Sequence, residues 1–323
     1  MNRILSFLAL TLLTLPAVAQ WYYDDAAIMG TNIEVQVWAG SEERGQQAIN
    51  AVFEEMERVN QLMSPYIEDS ELSQLNAHAA NQAYVVSEEL FSLIRYAVQM
   101  GDMTHGAFDI TFASVGFQYD YRARVRPDDN TIASQLPAIS YQHLELDAES
   151  HAIRYRHPNV KIDLGGIAKG HAVDKSVEKL KALGIQHAMV TAGGDTRLLG
   201  DRLGRPWLVG IRDPREDGRQ AVKIPLASTA ISTSGDYERF FEEDGVRYHH
   251  ILSPSTGKPA SLVQSVSIIG PSSTTNDALS TSVFVMGLNA GLALIDSLPD
   301  VEAIILDNHR RMHFSQGLTD NKG

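Results

Sequence analysis

Residues 161–175 read KIDLGGIAKGHAVDK. The carboxylate of Asp163 precedes two glycines, and Lys169 follows them just as a helical pattern begins. A strand that ends in a side-chain-free turn and opens a helix points unpaired N–H groups and the positive helix end at one spot, which suits a phosphate. The spacing is neither G-x-G-x-x-G nor G-x-x-x-x-G-K-[ST]. Lys169 supplies a point charge for phosphate, Asp163 an acceptor, and Gly166 a carbonyl open to a metal. The plainer alternative is an ordinary strand–turn–helix with a solvated lysine.

A second group lies on TTNDALSTSVFVMG, residues 274–287. Asp277 and Thr281 are four apart and share one face of a helix. A carboxylate and a hydroxyl there are hard oxygen donors of the kind Mg²⁺ takes together with substrate phosphates and water. Thr274 and Asp277 also fit a capping box, which would give both a structural role. A third group is YHHILSPSTGKPA, residues 248–260. Adjacent residues of a strand point to opposite faces, so one of His249 and His250 is expected inside and the other available for chemistry. Tyr66, in the turn of MSPYIEDSELSQLN, offers a ring for stacking. HGAFDIT (105–111) and MVTAGGDTR (189–197) add glycine turns beside carboxylates. No His/Glu cluster has zinc spacing.

Positioning these groups falls to a mixture of strands and helices. TNIEVQVWA alternates as a half-buried strand, and a helix with Ala48, Val52, Phe53, Met56, Val59 and Met63 inward follows it. Helices are predicted over 88–103, 167–183, 274–286 and 288–297, with Gly184 ending the second. Two strands between 143 and 165 form a hairpin, and further strands run through HAMVTAGG, PWLVGIRD, VKIPLAS, TAISTSG, YHHILS, SVSIIG, VEAIILD and RMHFS. Residues 116–140, with two charged clusters and two prolines, read as an exposed excursion. There is no internal repeat and no low-complexity linker. Strands outnumber helices without strict βαβ alternation, so the fold class is α+β, with mixed or antiparallel sheets packed against helices.

The whole chain sets limits on these readings. At 44% hydrophobic residues, 323 residues can bury a sizeable core. A net charge of −13 excludes the basic footprint that nucleic acid or anionic lipid needs. With no cysteine, disulfides, thiolate metal sites and a cysteine nucleophile are ruled out. MNRILSFLALTLLTLPAVAQ has Arg3, an apolar run from Ile4 to Leu15, and Ala17-Val18-Ala19, the layout of a secretory signal cleaved after Ala19. The run is short for a membrane span, although an uncleaved anchor is the alternative. The expectation is a signal over 1–19 and one domain over 20–323, extracytoplasmic or periplasmic, with no integral span after cleavage.

Taken in order, MGT (29–31), MSPYIEDSELSQLN, GAFDIT, KIDLGGIAKGHAVD, TAGGD, ISTSGDYERFF, HHILSPSTGKPA and NDALSTSVFVMG resemble the FAD:protein FMN transferase family, the ApbE type. The resemblance runs from Met29 to Gly287. It implies a T-fold-related architecture and an enzyme that uses FAD and Mg²⁺ to attach FMN to a threonine of an acceptor protein, releasing AMP. By resemblance, Met29, Tyr66, Ala107, Phe108, Asp109, Asp163, Lys169, Ile251 and Leu252 match FAD-binding positions. Gly166 (by its carbonyl), Asp277 and Thr281 match metal positions, and His250 matches the base. The mechanism expected from these positions packs a cofactor ring between Tyr66 and Phe108. Ser253 stands where the family often has Asp, and Ser280 where some relatives have a further metal-ligating Asp. The implied partner is a flavin-carrying subunit of a quinone reductase or an Rnf-type electron-transport complex. Alternatives for the same residues are an FAD pyrophosphatase, yielding FMN and AMP, and a secreted flavin-binding protein without chemistry.

Overall fold

The computed structural model describes residues 19–216 and 218–319. The expected signal segment, apart from Ala19, lies outside them. The elements in chain order are β1 (Gln20–Ile28), β2 (Thr31–Ala39), α1 (Glu42–Met63), α2 (Glu71–His78), β3 (Tyr84–Val85), α3 (Glu88–Met103), α4 (Ala113–Gly116) and α5 (Asp129–Gln135). Then come β4 (Leu144–Asp147), β5 (Ala152–Tyr155), α6 (Ala168–Ala182), β6 (Ala188–Ala192), β7 (Asp195–Leu199), β8 (Trp207–Arg212), β9 (Gln220–Leu226) and β10 (Ala230–Gly235). The chain continues through β11 (Phe240–Glu243), β12 (Val246–His249), β13 (Val263–Gly270), α7 (Ser273–Met286), α8 (Leu288–Asp296), β14 (Glu302–Asp307), β15 (Met312–Phe314) and α9 (Gln316–Thr319).

An eight-stranded sheet in the order β1-β2-β6-β7-β10-β13-β14-β15 carries the molecule, and its pairs are antiparallel. Helices α1, α6, α7 and α8 pack on one face. Ile33, Val35, Val37, Val190, Val266, Ile268 and Ile305 point into that core. The odd-numbered neighbours Ile231 and Ile269, with Ile304, point the other way, onto the β8–β9 ribbon. Both faces of β13 are therefore covered, which explains why all eight of its residues are buried, the polar Gln264, Ser265 and Ser267 included.

Helix α1 forms as its spacing predicts: Ala48, Val52, Met56, Val59 and Met63 are buried, and Ser41 caps it by accepting from Arg44 N. Other expectations are revised. The 143–165 hairpin closes at Tyr155, and the alternating run 160–164 has no strand partner. Its backbone is satisfied instead by side chains and by loop carbonyls, Asp163 N donating to Ile110 O at 3.0 Å. Asn76 accepts from Ile162 N and donates to Ile162 O, both at 2.8 Å, while Lys161 N donates to Ser114 Oγ at 3.0 Å. The excursion 116–140 is exposed only in part. Tyr119 and Ile132 bury themselves with Val115 and Leu252 in a small second core. The Tyr119 hydroxyl donates to Gly257 O at 3.1 Å, and Arg126 pairs with Glu243 at 2.6 Å.

Candidate active site

The glycine turn and the face of α7, a hundred residues apart in the chain, lie against one another. A Cβ placed on Gly166 would stand 3.2 Å from Thr281 Oγ1 and 3.3 Å from the Phe108 ring. One turn on, a Cβ on Gly170 would stand 2.3 Å from the Ser273 carbonyl oxygen and 2.8 Å from Asp277 Cβ. Glycine at 170 is what lets α6 and α7 cross this closely. The crossing also satisfies an otherwise orphan donor of α6, since Gly170 N donates to Asp277 Oδ2 at 3.0 Å.

Lys169 bridges the two carboxylates at this crossing. Its Nζ lies 3.0 Å from Asp195 Oδ2 and 3.7 Å from Asp277 Oδ2, and it donates to Gly165 O at 3.2 Å. Asp195 and Asp277 are buried, whereas Lys169 keeps 25% of its side chain exposed. Burial alone would lower the lysine, but Asp195 and Asp277 outweigh it and hold Nζ above its ordinary range. Burial, with Asp195 adding repulsion, pushes the Asp277 carboxyl up from its ordinary range, against the pull of Lys169. Asp195 comes from the Gly-Gly-Asp turn that opens β7. The sequence flagged that turn, but nothing local showed that its carboxylate reaches Lys169.

The capping-box reading of Thr274 and Asp277 is overturned. The N-cap of α7 is Ser272, which accepts from Thr275 N. Thr274 turns instead to Asp174, whose carboxylate also accepts from Ser272 Oγ, Ser273 N and Thr274 N. Asp174 thus pins the first turn of α7 to α6 and frees Asp277 to face the glycine turn. On the strand side, Ser234 Oγ lies 2.8 Å from Ser280 Oγ and 3.2 Å from Thr281 Oγ1. Ser280 also donates to Asp277 O at 2.9 Å, so in this chain it braces its own helix.

The two histidines separate as alternation requires. His249 is buried, with Nε2 2.7 Å from Ala260 O and Nδ1 accepting from Ile251 N. It faces the Phe284 ring edge-on at 5.5 Å. His250 takes the other side, with its Nδ1 buried and without a hydrogen-bond partner among the described residues. Burial, followed by the charges of Arg239, His249 and Lys169, lowers its pKa to about 3. The imidazole is therefore neutral at pH 7, the protonation state a base needs.

The remaining expected positions divide into outward and inward groups. Tyr66 is 76% exposed and feels the charges of Asp163 and Arg239. Asp163 Oδ1 accepts from Gly165 N at 2.6 Å, which shapes the turn, and burial raises its pKa. Met29 adopts φ 55° at the β1–β2 turn and lines a hollow of about 400 Å³. Ala107 is half-buried. Phe108 is buried beneath Gly166, so its ring supports the turn and has no free face for stacking; Tyr66 is the open aromatic here. Asp109 is buried and fully engaged, accepting from Thr111 N, Thr111 Oγ1 and Tyr141 N. Ile251 and Leu252 bury their side chains and anchor the segment that follows His250.

Among the described residues no three His, Cys, Asp or Glu side chains cluster as a metal site. The oxygens present are of a different kind: two buried carboxylates, two hydroxyls and the Gly166 carbonyl region, all hard donors. With Lys169 the ionised group is net negative, so a divalent cation fits its charge and its chemistry. A separate cleft of about 1060 Å³ lies between α1, α3 and α6. Its charged groups answer one another, with Arg58 bridging Glu55 and Glu89, and His171 on Glu89.

Comparison with known proteins meets this geometry. The sequence profile of the ApbE family matches residues 29–305, which include every residue of the crossing. An FAD:protein FMN transferase of Treponema pallidum is 34% identical over 319 residues, covering 91% of this chain and 86% of that one. One from Vibrio cholerae is 36% identical, covering 75% and 74%. The crystal structure of the ApbE protein from Thermotoga maritima superposes with a TM-score of 0.85 at 36% identity, over 93% of this chain and 98% of that one. The flavin transferase ApbE from Vibrio cholerae gives 0.82 at 29% identity, over 93% and 99%. Sequence and fold agree over nearly the whole described length, and the chain belongs to the ApbE family.

Proposed function

We propose that this protein is an FAD:protein FMN transferase, joining the FMN half of FAD to a threonine hydroxyl of an acceptor protein and releasing AMP. The observation that carries the reading is the crossing of α6 and α7 beside a neutral, unpartnered His250. Lys169 and the N–H of Gly166, the donor of the glycine turn that no protein group takes up among the described residues, bind the FAD diphosphate. Tyr66 stacks on a ring of the substrate. His250 accepts the proton of the threonine hydroxyl as that oxygen meets the FMN-side phosphorus. The bond from that phosphorus to the bridging oxygen breaks, and AMP leaves with the bridging oxygen. Asp277, Thr281 and the Gly166 carbonyl would hold Mg²⁺, which supplies charge neutralisation at the phosphates when bound.

The acceptor is read from family likeness as a flavin-carrying subunit of a quinone reductase or Rnf-type complex. The site is read as working outside the cytoplasm because of the N-terminal signal layout. No helix among the described residues is long and apolar enough to cross a membrane.

The test is incubation with FAD, Mg²⁺ and candidate acceptor subunits, followed by intact mass of the denatured acceptor. A gain of one FMN supports the reading, and an unchanged acceptor with FAD intact refutes it. Asp277→Ala should lose transfer or demand far more Mg²⁺. A second reading, FAD hydrolysis to FMN and AMP, is favoured by the exposure of Tyr66 and Arg239, which leaves the site open to water. AMP release without an acceptor measures it.

A further inference from the structure

One cation at this site has no assigned task. In the β11–β12 hairpin Phe240 stands opposite His249 and Phe241 opposite Tyr248. The ladder runs one step further, since His250 N donates to the Arg239 carbonyl at 3.1 Å. Arg239 is therefore the residue directly across from His250. Opposite residues of an antiparallel pair send their side chains to one face with Cβ atoms about 4.5–5.5 Å apart. His249, on the other face, goes into the core against Phe284. Arg239 and His250 thus face the site together.

Other arginines near this hairpin are committed to carboxylates. Arg247 holds Asp236 and Glu242, Arg126 holds Glu243, and Arg212 holds Glu238. Arg239 makes no side-chain hydrogen bond or ion pair among the described residues, in a chain with 40 acidic and 27 basic residues. Its Nη2 lies 3.2 Å from the Cβ position of Gly30, beside Met29. Its charge is felt at Tyr66, Asp163, Lys169 and His250, which surround the same space. Lys169, the other cation there, is engaged by Asp195.

We propose that Arg239 binds the non-bridging oxygens of the phosphoryl group being transferred, next to the base that receives the threonine proton. This rests on the transferase reading above. A planar guanidinium grips two phosphate oxygens at once, which an ammonium cannot do. Charge builds on those oxygens as the threonine oxygen bonds to phosphorus and the AMP oxygen departs. A donor fixed beside them lowers the barrier without reorganising.

The experiment compares the full chain with R239A, R239K and R212A in FMN transfer from FAD to an acceptor protein with Mg²⁺ present, recording kcat, KM for FAD and Tm. R239A should lose about 10²-fold in kcat at unchanged Tm, since the side chain is exposed. R239K should recover only part, and R212A should match the unmodified protein. R239A within twofold of the unmodified protein overturns this inference alone, as does R239K with full kcat. No transfer by the unmodified protein overturns the transferase reading and this inference with it.

Discussion

Gly170→Ala isolates the contribution of the helix crossing. In an isolated helix the change is favourable, because alanine exceeds glycine by about 1 kcal/mol in helix propensity. Here the new methyl would stand 2.3 Å from the Ser273 carbonyl oxygen and 2.8 Å from Asp277 Cβ, where real contacts start near 3.4 Å. The obstacle at Ser273 is backbone and cannot rotate aside, so α7 must retreat by about 1 Å. Overpacking of this kind costs about 1–3 kcal/mol, which cancels or exceeds the propensity gain. The larger effect is on chemistry. A retreat of about 1 Å strains the 3.0 Å bond from Gly170 N to Asp277 and moves Thr281 from the glycine turn, and misplacement on that scale costs about 10²-fold in rate. Thermal unfolding and the acceptor mass assay, run beside Gly40→Ala, measure both effects. Gly40 has nothing within 4 Å of its Cβ position, so its variant should behave as the parent. A Gly170→Ala protein that melts higher and transfers FMN at the parent rate would refute the coupling.

Three further outcomes are expected. Asp174→Ala releases four donors of the first turn of α7 and the partner of Arg197; urea unfolding should show a loss of about 1–3 kcal/mol, with transfer reduced as well, and an unchanged midpoint would contradict this. Asn76→Ala leaves Ile162 N–H, Ile162 C=O and the Tyr155 hydroxyl without their partner, at a cost of about 2–5 kcal/mol by the same measurement. Buried His250, which feels the charges of Arg239, Lys169 and its neighbour His249, should stay neutral by histidine NMR down to pH 5, since its pKa lies near 3. The unfolded imidazole takes a proton near 6.5, so the stability contributed by neutral His250 is complete above about 6.5 and falls as pH drops toward 3. A titration midpoint of 6–7 in the folded protein would contradict this.

Legibility in the sequence followed the range of the signal. Helices α1, α3 and α6 were readable because periodicity is local and each buries one stripe, whereas α7 is buried on most sides. The run 160–164 alternates like a strand because it is buried like one, but its hydrogen bonds go to Asn76 and Ser114, whose positions no local pattern reveals. Edge strand β1, with one neighbour and much of its length exposed, lacks a clear alternation and was missed. Ser-Ser-Thr-Thr at 272–275 offers four hydroxyls as caps, and the choice is made by Asp174 on another helix. Two site residues escaped for the same reason. Asp195 matters only because α6 brings Lys169 to it, and Arg239 only because hairpin register sets it across from His250. Glycine turns beside carboxylates were the visible trace of the site, because close approach demands them wherever the partners come from.

Lys169 has a consequence beyond its proposed hold on phosphate. Seated between Asp195 and Asp277, it gives the protein a resident counter-ion of its own. Small zinc domains come apart when stripped of metal because metal binding supplies their folding free energy. Here the amine keeps the two acids apart in effect, so a chelator should leave an idle but intact protein, and returning Mg²⁺ should restore activity at the speed of ion binding, with no refolding delay. On the proposed Mg²⁺ requirement, supply of the ion would set the rate of the enzyme and leave its lifetime alone.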